Sequence, residues 1–109
     1  MSKPRKRDAK RLLRLGKYLI GRERYVVKFD YQKNPSLITA WTYTEYAGCR
    51  ETRTSTSGVL VLLGGHLLKS WSSTQKVIAL SSGEAEYYGI VRGAAEAMGV
   101  QSILRDMDI

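Results

Sequence analysis

Two carboxylates stand one residue apart in residues 78–90, directly after a pair of serines. Ser81 is a favourable residue for the position before a helix, where its hydroxyl accepts a backbone N–H. Glu84, three residues later, can accept the backbone N–H of Ser81 in return, which completes a capping box. This pairing gives Glu84 a structural task and leaves Glu86 without one, so Glu86 is the first candidate for chemistry.

Glu86 lies on a side of the predicted helix that carries little bulk. At helical spacing it is followed by Gly89, Ile90, Gly93 and Ala97. Small residues allow a helix to approach a sheet closely, so a carboxylate on that side is expected to face protein. An ionised group there needs a cation, a hydrogen-bond donor or a metal ion beside it. The alternative is a solvated or salt-bridged surface glutamate, as most glutamates are.

The positive charge of the chain is concentrated in its first quarter. The 109 residues suit one domain or part of a larger one, and the net charge is +8. Residues 1–24 carry ten Lys or Arg against Asp8 and Glu23, which is +8, whereas residues 25–109 carry eight of each sign. A basic arm on a neutral body is typical of nucleic-acid binding, because neutralised phosphates release counterions. Membrane-surface binding and simple solvation of a helix are the alternatives.

Several classes of protein are excluded by composition. Cys49 is the only cysteine, so an internal disulfide and a cysteine-rich zinc site are both impossible. No apolar run approaches the roughly 20 residues of a membrane span, and the charged start lacks the apolar core of a signal peptide. We therefore expect a soluble, intracellular protein, located in the cytoplasm or the nucleus.

The N-terminal half is predicted to contain one helix and two strands. The helix covers residues 4–20, with Gly21 as its stop. Its leucines form one stripe, and its cations form another that we take as the candidate nucleic-acid contact: Arg7, Lys10, Arg11, Arg14 and Lys17. Alternating residues predict strands over residues 25–31 and 37–46.

The C-terminal half is predicted to contain a hairpin and a helix. The apolar residues 59–63 predict a strand covered on both faces. Gly64 and Gly65 then form a two-residue turn into an antiparallel partner over residues 66–72. The last helix is expected over residues 82–98, with a break or kink at Gly99 and a further helical turn or two over residues 101–107.

These residues carry a family likeness. The string AGCRETRTSTSGVLVLLGG, followed by KSWSSTQ and ALSSGEAEYYG, resembles the ribonuclease H segment of copia-type LTR retrotransposon polyproteins. KRLLRLGKYLIGRERYVVKFDYQ resembles the end of the reverse transcriptase region and its connection. The likeness covers residues 4–109. It divides the chain into a basic helix and strand (residues 1–34), from the end of the reverse transcriptase and connection, and the N-terminal part of a ribonuclease H-like domain (residues 35–109).

The resemblance implies a fold and an activity. The fold is ribonuclease H-like, α/β (α+β) and truncated: an N-terminal helix, antiparallel strands including a hairpin, then a helix packed on the sheet. The activity is hydrolysis of RNA in RNA–DNA hybrids, in which clustered acids hold two Mg²⁺ ions. The implied partners are an RNA–DNA hybrid or another polyanion, and the remainder of a polyprotein or a reverse transcriptase region; no membrane is implied. Glu86 matches the helix acid of the family motif SSxEAEY.

The first strand departs from the family pattern. The family expects a string like YxDADWAGC, whereas this chain reads WTYTEYAGC. Tyr43 therefore stands at the catalytic aspartate and Glu45 at the second acid, so the candidate catalytic residues are Glu86, Glu45 and Tyr43, and the candidate metal ligands are Glu86 and Glu45. A phenol is a poor ligand for Mg²⁺, which prefers carboxylate oxygens. Asp106 and Asp108 are interpreted as surface acids.

The sequence therefore predicts a catalytically impaired ribonuclease H-like domain. The alternatives are a non-catalytic remnant that binds nucleic acid non-specifically and a structural remnant without a ligand. Arg50 and Arg53 are further candidates for phosphate contact, with solvation as the other interpretation. Trp41 and Trp71 are expected in the core rather than stacked on bases.

Overall fold

The computed structural model of the protein describes residues 5–109. The elements, in chain order, are helix α1 (Lys6–Leu19), strands β1 (Ile38–Glu45), β2 (Thr56–Leu63) and β3 (His66–Thr74), and helix α2 (Ser82–Asp106). The strands form one antiparallel sheet in the order β1-β2-β3, and α2 packs on one face of it. The α+β arrangement of helix, strands and helix is confirmed; Pro4, predicted in the first turn of α1, lies outside the described residues.

Helix α1 is capped at both ends by neighbouring residues of the chain. The carboxylate of Asp8 accepts the backbone N–H of Arg5 at 2.9 Å, which satisfies one of the donors that a helix start leaves open. Gly21 adopts a left-handed φ of +76°, and this conformation ends the helix as the sequence predicts. Within residues 5–109, α1 makes no packing contact with the sheet or with α2. Its leucine stripe is therefore exposed, together with its cations.

Residues 25–31 form no strand. The strand predicted there, as part of the basic helix and strand of residues 1–34, is therefore wrong. Tyr25 and Tyr31 are 91% and 93% exposed, so the alternating side chains have no buried face. The segment is instead held at one place: Nε2 of His66 lies 2.6 Å from the carbonyl oxygen of Asp30, and the ring of Phe29 meets the His66 ring edge to face. Alternation marks an extended backbone, but a strand also requires a partner for its N–H and C=O groups.

The hairpin between β2 and β3 is confirmed. Gly64 has a φ of +58°, a conformation that glycine adopts without steric cost. The side chain of Gln32 fastens this turn by donating to the carbonyl oxygen of Leu63 and accepting the N–H of Gly65, both at 2.9 Å. The turn thus also anchors the segment that leads into β1.

Strand β2 is covered on one face only, which corrects the expectation of cover on both. Val59 and Val61 are buried beneath α2, whereas Leu60 between them is 44% exposed. The opposite face of the sheet also carries Trp41 from β1, which is 65% exposed, so its predicted place in the core is wrong. A wholly apolar run does not by itself show how many faces of a strand are covered.

Helix α2 approaches the sheet through two glycines. Gly89 and Gly93 are buried, and a Cβ built on Gly89 would lie 2.6 Å from Oγ1 of Thr44. A Cβ on Gly93 would collide with the methyl group of Thr42 and lie 3.6 Å from a Val59 methyl group. The small-residue side predicted from the sequence is therefore the contact side, and it sets the depth at which α2 sits on the sheet.

The start of α2 uses the predicted cap in altered form. Oγ of Ser81 accepts the N–H of Glu84 at 3.1 Å, as expected. The Glu84 carboxylate, however, accepts the N–H of Leu80 at 2.8 Å instead of that of Ser81. The donor to Glu84 is therefore Leu80, one residue before the predicted Ser81. The Ser81 and Glu84 side chains together still satisfy two backbone donors at the start of the helix.

Ser81→Ala is expected to destabilise the fold by about 1 kcal/mol, because the N–H of Glu84 loses its acceptor. Urea unfolding followed by circular dichroism measures the change. Ser82→Ala is the matched control, since Ser82 is the first helical residue and is exposed, and we expect it to stay within about 0.5 kcal/mol of the wild type. Equal stabilities of the two variants would contradict the cap.

Gly99 does not interrupt α2, which corrects the predicted break. The helix continues unbroken over 25 residues, and Gly99 is exposed in its second half. A glycine inside a helix costs only about 1 kcal/mol relative to alanine. That cost is too small to end a helix whose earlier turns are packed on a sheet.

Candidate functional site

Glu86 lies beside a small cavity where the edge strand β1 meets α2. The cavity has a volume of about 150 Å³, and its lining residues are Thr42, Tyr43, Thr44, Glu86 and Ile90. Position 86 on the helix and position 43 on the strand, which the resemblance pairs in one site, are thus brought together. Thr42 and Thr44 contact α2, so the side chain of Tyr43 between them points to the opposite face of the sheet, and the carboxylate of Glu86 has no phenol beside it.

Glu86 is exposed, so the expectation that it faces protein is wrong. The residues of α2 that are buried against the sheet are Ala85, Gly89 and Gly93. Glu86 follows Ala85 directly and therefore lies about 100° around the helix from this contact line. Among residues 5–109 it has neither a side-chain hydrogen bond nor an ion pair, and water can solvate its charge.

Tyr43 is 71% exposed on β1. Its partner across the sheet is Gly58, so no side chain on β2 packs beside the phenol. A neutral hydroxyl at this place can donate one hydrogen bond and accept another. It lies on the face of the sheet opposite α2, as Trp41 does, and brings no negative charge to the side where Glu86 stands.

Glu45 is turned away from this cavity. Its carboxyl carbon lies 2.7 Å from the place where a Cβ on Gly48 would stand, so the side chain folds over the loop that follows β1.

Asp106 is exposed at the far end of α2, which puts it about 30 Å along the helix axis from Glu86. Across residues 5–109, no group of three or more His, Cys, Asp or Glu side chains is close enough to hold a metal ion.

The candidate phosphate contacts are all on the surface. The α1 cations are exposed, and one of them, Arg7, pairs with Glu51 in the loop after β1. Arg50 and Arg53 are exposed in the same loop, where the backbone N–H of Arg53 donates to the carbonyl of Cys49 at 2.7 Å. The pairing of Arg7 brings the start of α1 next to the end of β1.

A polar network joins the sheet to the start of α2. Nε2 of Gln75 donates to Oγ of Ser57 and to the carbonyl oxygen of Ala85, both at 2.8 Å. Oγ of Ser57 also lies 3.3 Å from Oγ1 of Thr44. The network fixes the connection between β3 and α2. Sequence reasoning did not single out Gln75; its place within the KSWSSTQ string was the one signal available.

Arg92 is a second residue that sequence reasoning missed. Its guanidinium carbon lies 4.2 Å from the centroid of the Trp71 ring, and Nη1 donates to Oγ of Ser73 at 2.9 Å. Trp71 is half-buried beneath this side chain. No local pattern links an arginine in α2 to a tryptophan in β3, because the contact exists only in the folded chain.

None of the helices that the structure describes combines the length and the apolar character needed to cross a membrane.

The chain is similar to segments of two retrovirus-related Pol polyproteins of Arabidopsis thaliana. It is 32% identical over 110 residues to the polyprotein from transposon RE1, which covers 100% of this chain and 7% of the relative. It is 33% identical over 99 residues to the polyprotein from transposon RE2, which covers 90% of this chain and 7% of that relative. It is also 33% identical over 87 residues to the secreted RxLR effector protein 161 of Plasmopara viticola, which covers 80% of this chain and 61% of that relative.

No family model and no solved structure matches the chain. The chain spans 7% of the length of each curated polyprotein that it matches. These relatives show that it is homologous to a segment of a transposon polyprotein.

Proposed function

We propose that this homologue of a transposon polyprotein segment is a ribonuclease H-like part of a copia-type retrotransposon polyprotein that no longer cleaves RNA in RNA–DNA hybrids efficiently. The observation that carries the proposal is that the cavity between β1 and α2 holds one carboxylate, that of Glu86, while the residue at the expected aspartate position is Tyr43, whose side chain points to the opposite face of the sheet. The order of the motifs and the contact of α2 with the strand that bears Tyr43 support the ribonuclease H-like assignment. We propose its reverse-transcriptase boundary near residue 34.

The residues around the cavity do not fit a centre of two magnesium ions. Such ions take carboxylate oxygens and need several of them to neutralise their charge. Glu86 supplies one carboxylate, Tyr43 is neutral, and Glu45 folds over Gly48 instead. Magnesium, which the resemblance implies, would therefore be held too weakly by these residues to support efficient hydrolysis.

The test is a cleavage assay with a labelled RNA–DNA hybrid and Mg²⁺. We expect no product above the level of the hybrid alone, because a single carboxylate cannot organise the ions. Tyr43→Asp restores an acid at the position of the family's aspartate, on the sheet face opposite α2, and is expected to leave turnover far below that of an active ribonuclease H. Strong, magnesium-dependent cleavage that disappears in the control variant Glu86→Gln would sink the proposal.

A second candidate function is non-specific binding of nucleic acid without catalysis. It is favoured by the exposed cations of α1, of which only Arg7 has an ion pair among residues 5–109. Free surface cations are available to phosphates, and each contact releases counterions. The two functions are compatible, since an inactive ribonuclease H-like segment can still bind a hybrid together with the rest of its polyprotein.

A further inference from the structure

We propose that a second cavity, between β3 and the side of α2 remote from Glu86, binds one backbone phosphate of a nucleic acid through Arg92 and Lys76. Its volume is about 190 Å³. The polar residues that line it are Ser57, Ser73, Gln75, Lys76, Tyr88 and Arg92. Two cations and three hydroxyl groups converge there, and none of the lining residues is a carboxylate.

Arg92 is held in position before any ligand arrives. Its guanidinium group stacks on Trp71 at 4.2 Å, and one N–H group is used by Ser73. An arginine has five N–H donors in a planar fork that matches the oxygens of a phosphate. Because the side chain is already ordered, binding a phosphate costs less conformational entropy than it would at a free surface arginine.

The acids on this side of α2 are already engaged. Glu84 accepts the hydroxyl of Tyr88 at 3.2 Å and the N–H of Leu80 at 2.8 Å. Glu96 pairs with Lys69 of β3 at 2.6 Å. The hydrogen bond from Tyr88 to Glu84 raises the pKa of the tyrosine, so its hydroxyl stays neutral at the rim. Glu84 keeps its negative charge, because both of its hydrogen-bond donors are neutral, so an anion in the cavity meets two cations with that one carboxylate behind Tyr88.

The floor of the cavity is rigid. Ser57 is 3% exposed, and Gln75 ties it to the first turn of α2 through two hydrogen bonds of 2.8 Å. Lys76 follows Gln75 directly, is exposed and lines the same cavity as Arg92. The geometry thus suits one compact anion rather than an extended ligand.

The assignment of this phosphate to a nucleic acid rests on the nucleic-acid binding proposed above. Free inorganic phosphate would make the same contacts as a backbone phosphate, so the experiment has two arms, one for each ligand. The first arm titrates the whole protein with inorganic phosphate and follows the indole N–H resonances by NMR. Trp71 lies beneath Arg92 and reports on the cavity, whereas Trp41 lies on the opposite face of the sheet and serves as an internal control.

We expect a saturable shift of the Trp71 resonance and no shift of the Trp41 resonance. Arg92→Gln should abolish the shift. Arg105→Gln is the matched control, because it removes the same charge from the same helix about 20 Å away, and it should retain the shift. A Trp71 resonance that does not respond to phosphate, or that responds equally in Arg92→Gln, overturns the site.

The second arm measures binding of an RNA–DNA hybrid at several salt concentrations. Arg92→Gln should weaken binding roughly threefold to tenfold and reduce the slope of log K against log salt by about 0.9, the value for one phosphate contact. Arg105→Gln should change neither. Hybrid binding that is unaffected by Arg92→Gln overturns the assignment to a polynucleotide. If the wild type shows the phosphate-dependent Trp71 shift but binds no hybrid, the proposed function fails while the anion site stands.

Discussion

Alanine substitution of Arg7, Lys10, Arg11, Arg14 and Lys17 is expected to lower the affinity for an RNA–DNA hybrid by at least about a hundredfold at 50 mM salt. Five phosphate contacts give a slope of log K against log salt of about −4.5, so the wild type should lose roughly 500-fold in affinity between 50 and 200 mM salt. The variant should lose most of this dependence.

The structure makes α1 suitable for this test. All five side chains are exposed, so the substitutions remove no packing. Alanine is the best helix former, and α1 should therefore stay helical, which circular dichroism verifies. Fluorescence anisotropy with a labelled hybrid at several salt concentrations gives the affinity and the slope.

The control for α1 is a variant with the same loss of charge elsewhere. Its five alanines replace exposed cations outside α1 and outside the Arg92 cavity: Arg24, Lys28, Lys33, Lys69 and Arg105. If binding depends on α1, this variant should keep most of the wild-type slope. An equal loss of slope in both variants would mean that net charge alone decides binding.

Gly93→Leu is expected to destabilise the fold by about 2 kcal/mol. Overpacking of a tight contact costs about 3 kcal/mol, and leucine returns about 1 kcal/mol through its higher helix propensity. The added Cβ meets Thr42 and Val59, and moving α2 outward would expose the valines of β2. Urea unfolding measures the loss.

Gly99→Leu makes the same substitution where no atom stands within 4 Å of the new Cβ. It should therefore stabilise the protein by about 0.5–1 kcal/mol through helix propensity alone. The opposite signs at the two positions isolate the close approach of α2 to the sheet. A Gly93→Leu protein as stable as Gly99→Leu would show that this approach is absent.

Local chemistry was sufficient to predict several elements from the sequence. Ser81 begins a helix because its hydroxyl satisfies a backbone donor, and Gly64 turns a hairpin because it accepts a positive φ. The small residues of α2 were correctly assigned to its contact side. In contrast, the extended residues 25–31 were predicted as a strand because alternation carries no information on whether a neighbouring strand is available.

The candidate site was only partly accessible from the sequence. The likeness to a family placed Glu86 and Tyr43 in one site; the two residues border one cavity, but the side chain of Tyr43 points to the opposite face of the sheet. The periodicity of α2 could not distinguish the centre of its contact face from its border, so it placed Glu86 too far inward. The Arg92 cavity depends on Trp71, Ser73 and Arg92 meeting across two elements, and no spacing in the sequence predicts that meeting.

Helix α1 is joined to the rest of the protein by the surface ion pair from Arg7 to Glu51 and by the connecting residues 21–28. Residues 21–28 link α1 to the contacts of Phe29 and Asp30 with His66, and so they limit how far α1 can lie from the sheet. A polyanion captured by α1 is thereby presented to the sheet at an effective concentration that tethering sets in the millimolar range. Avidity of this kind lets a subsite with low intrinsic affinity be occupied without any additional contact.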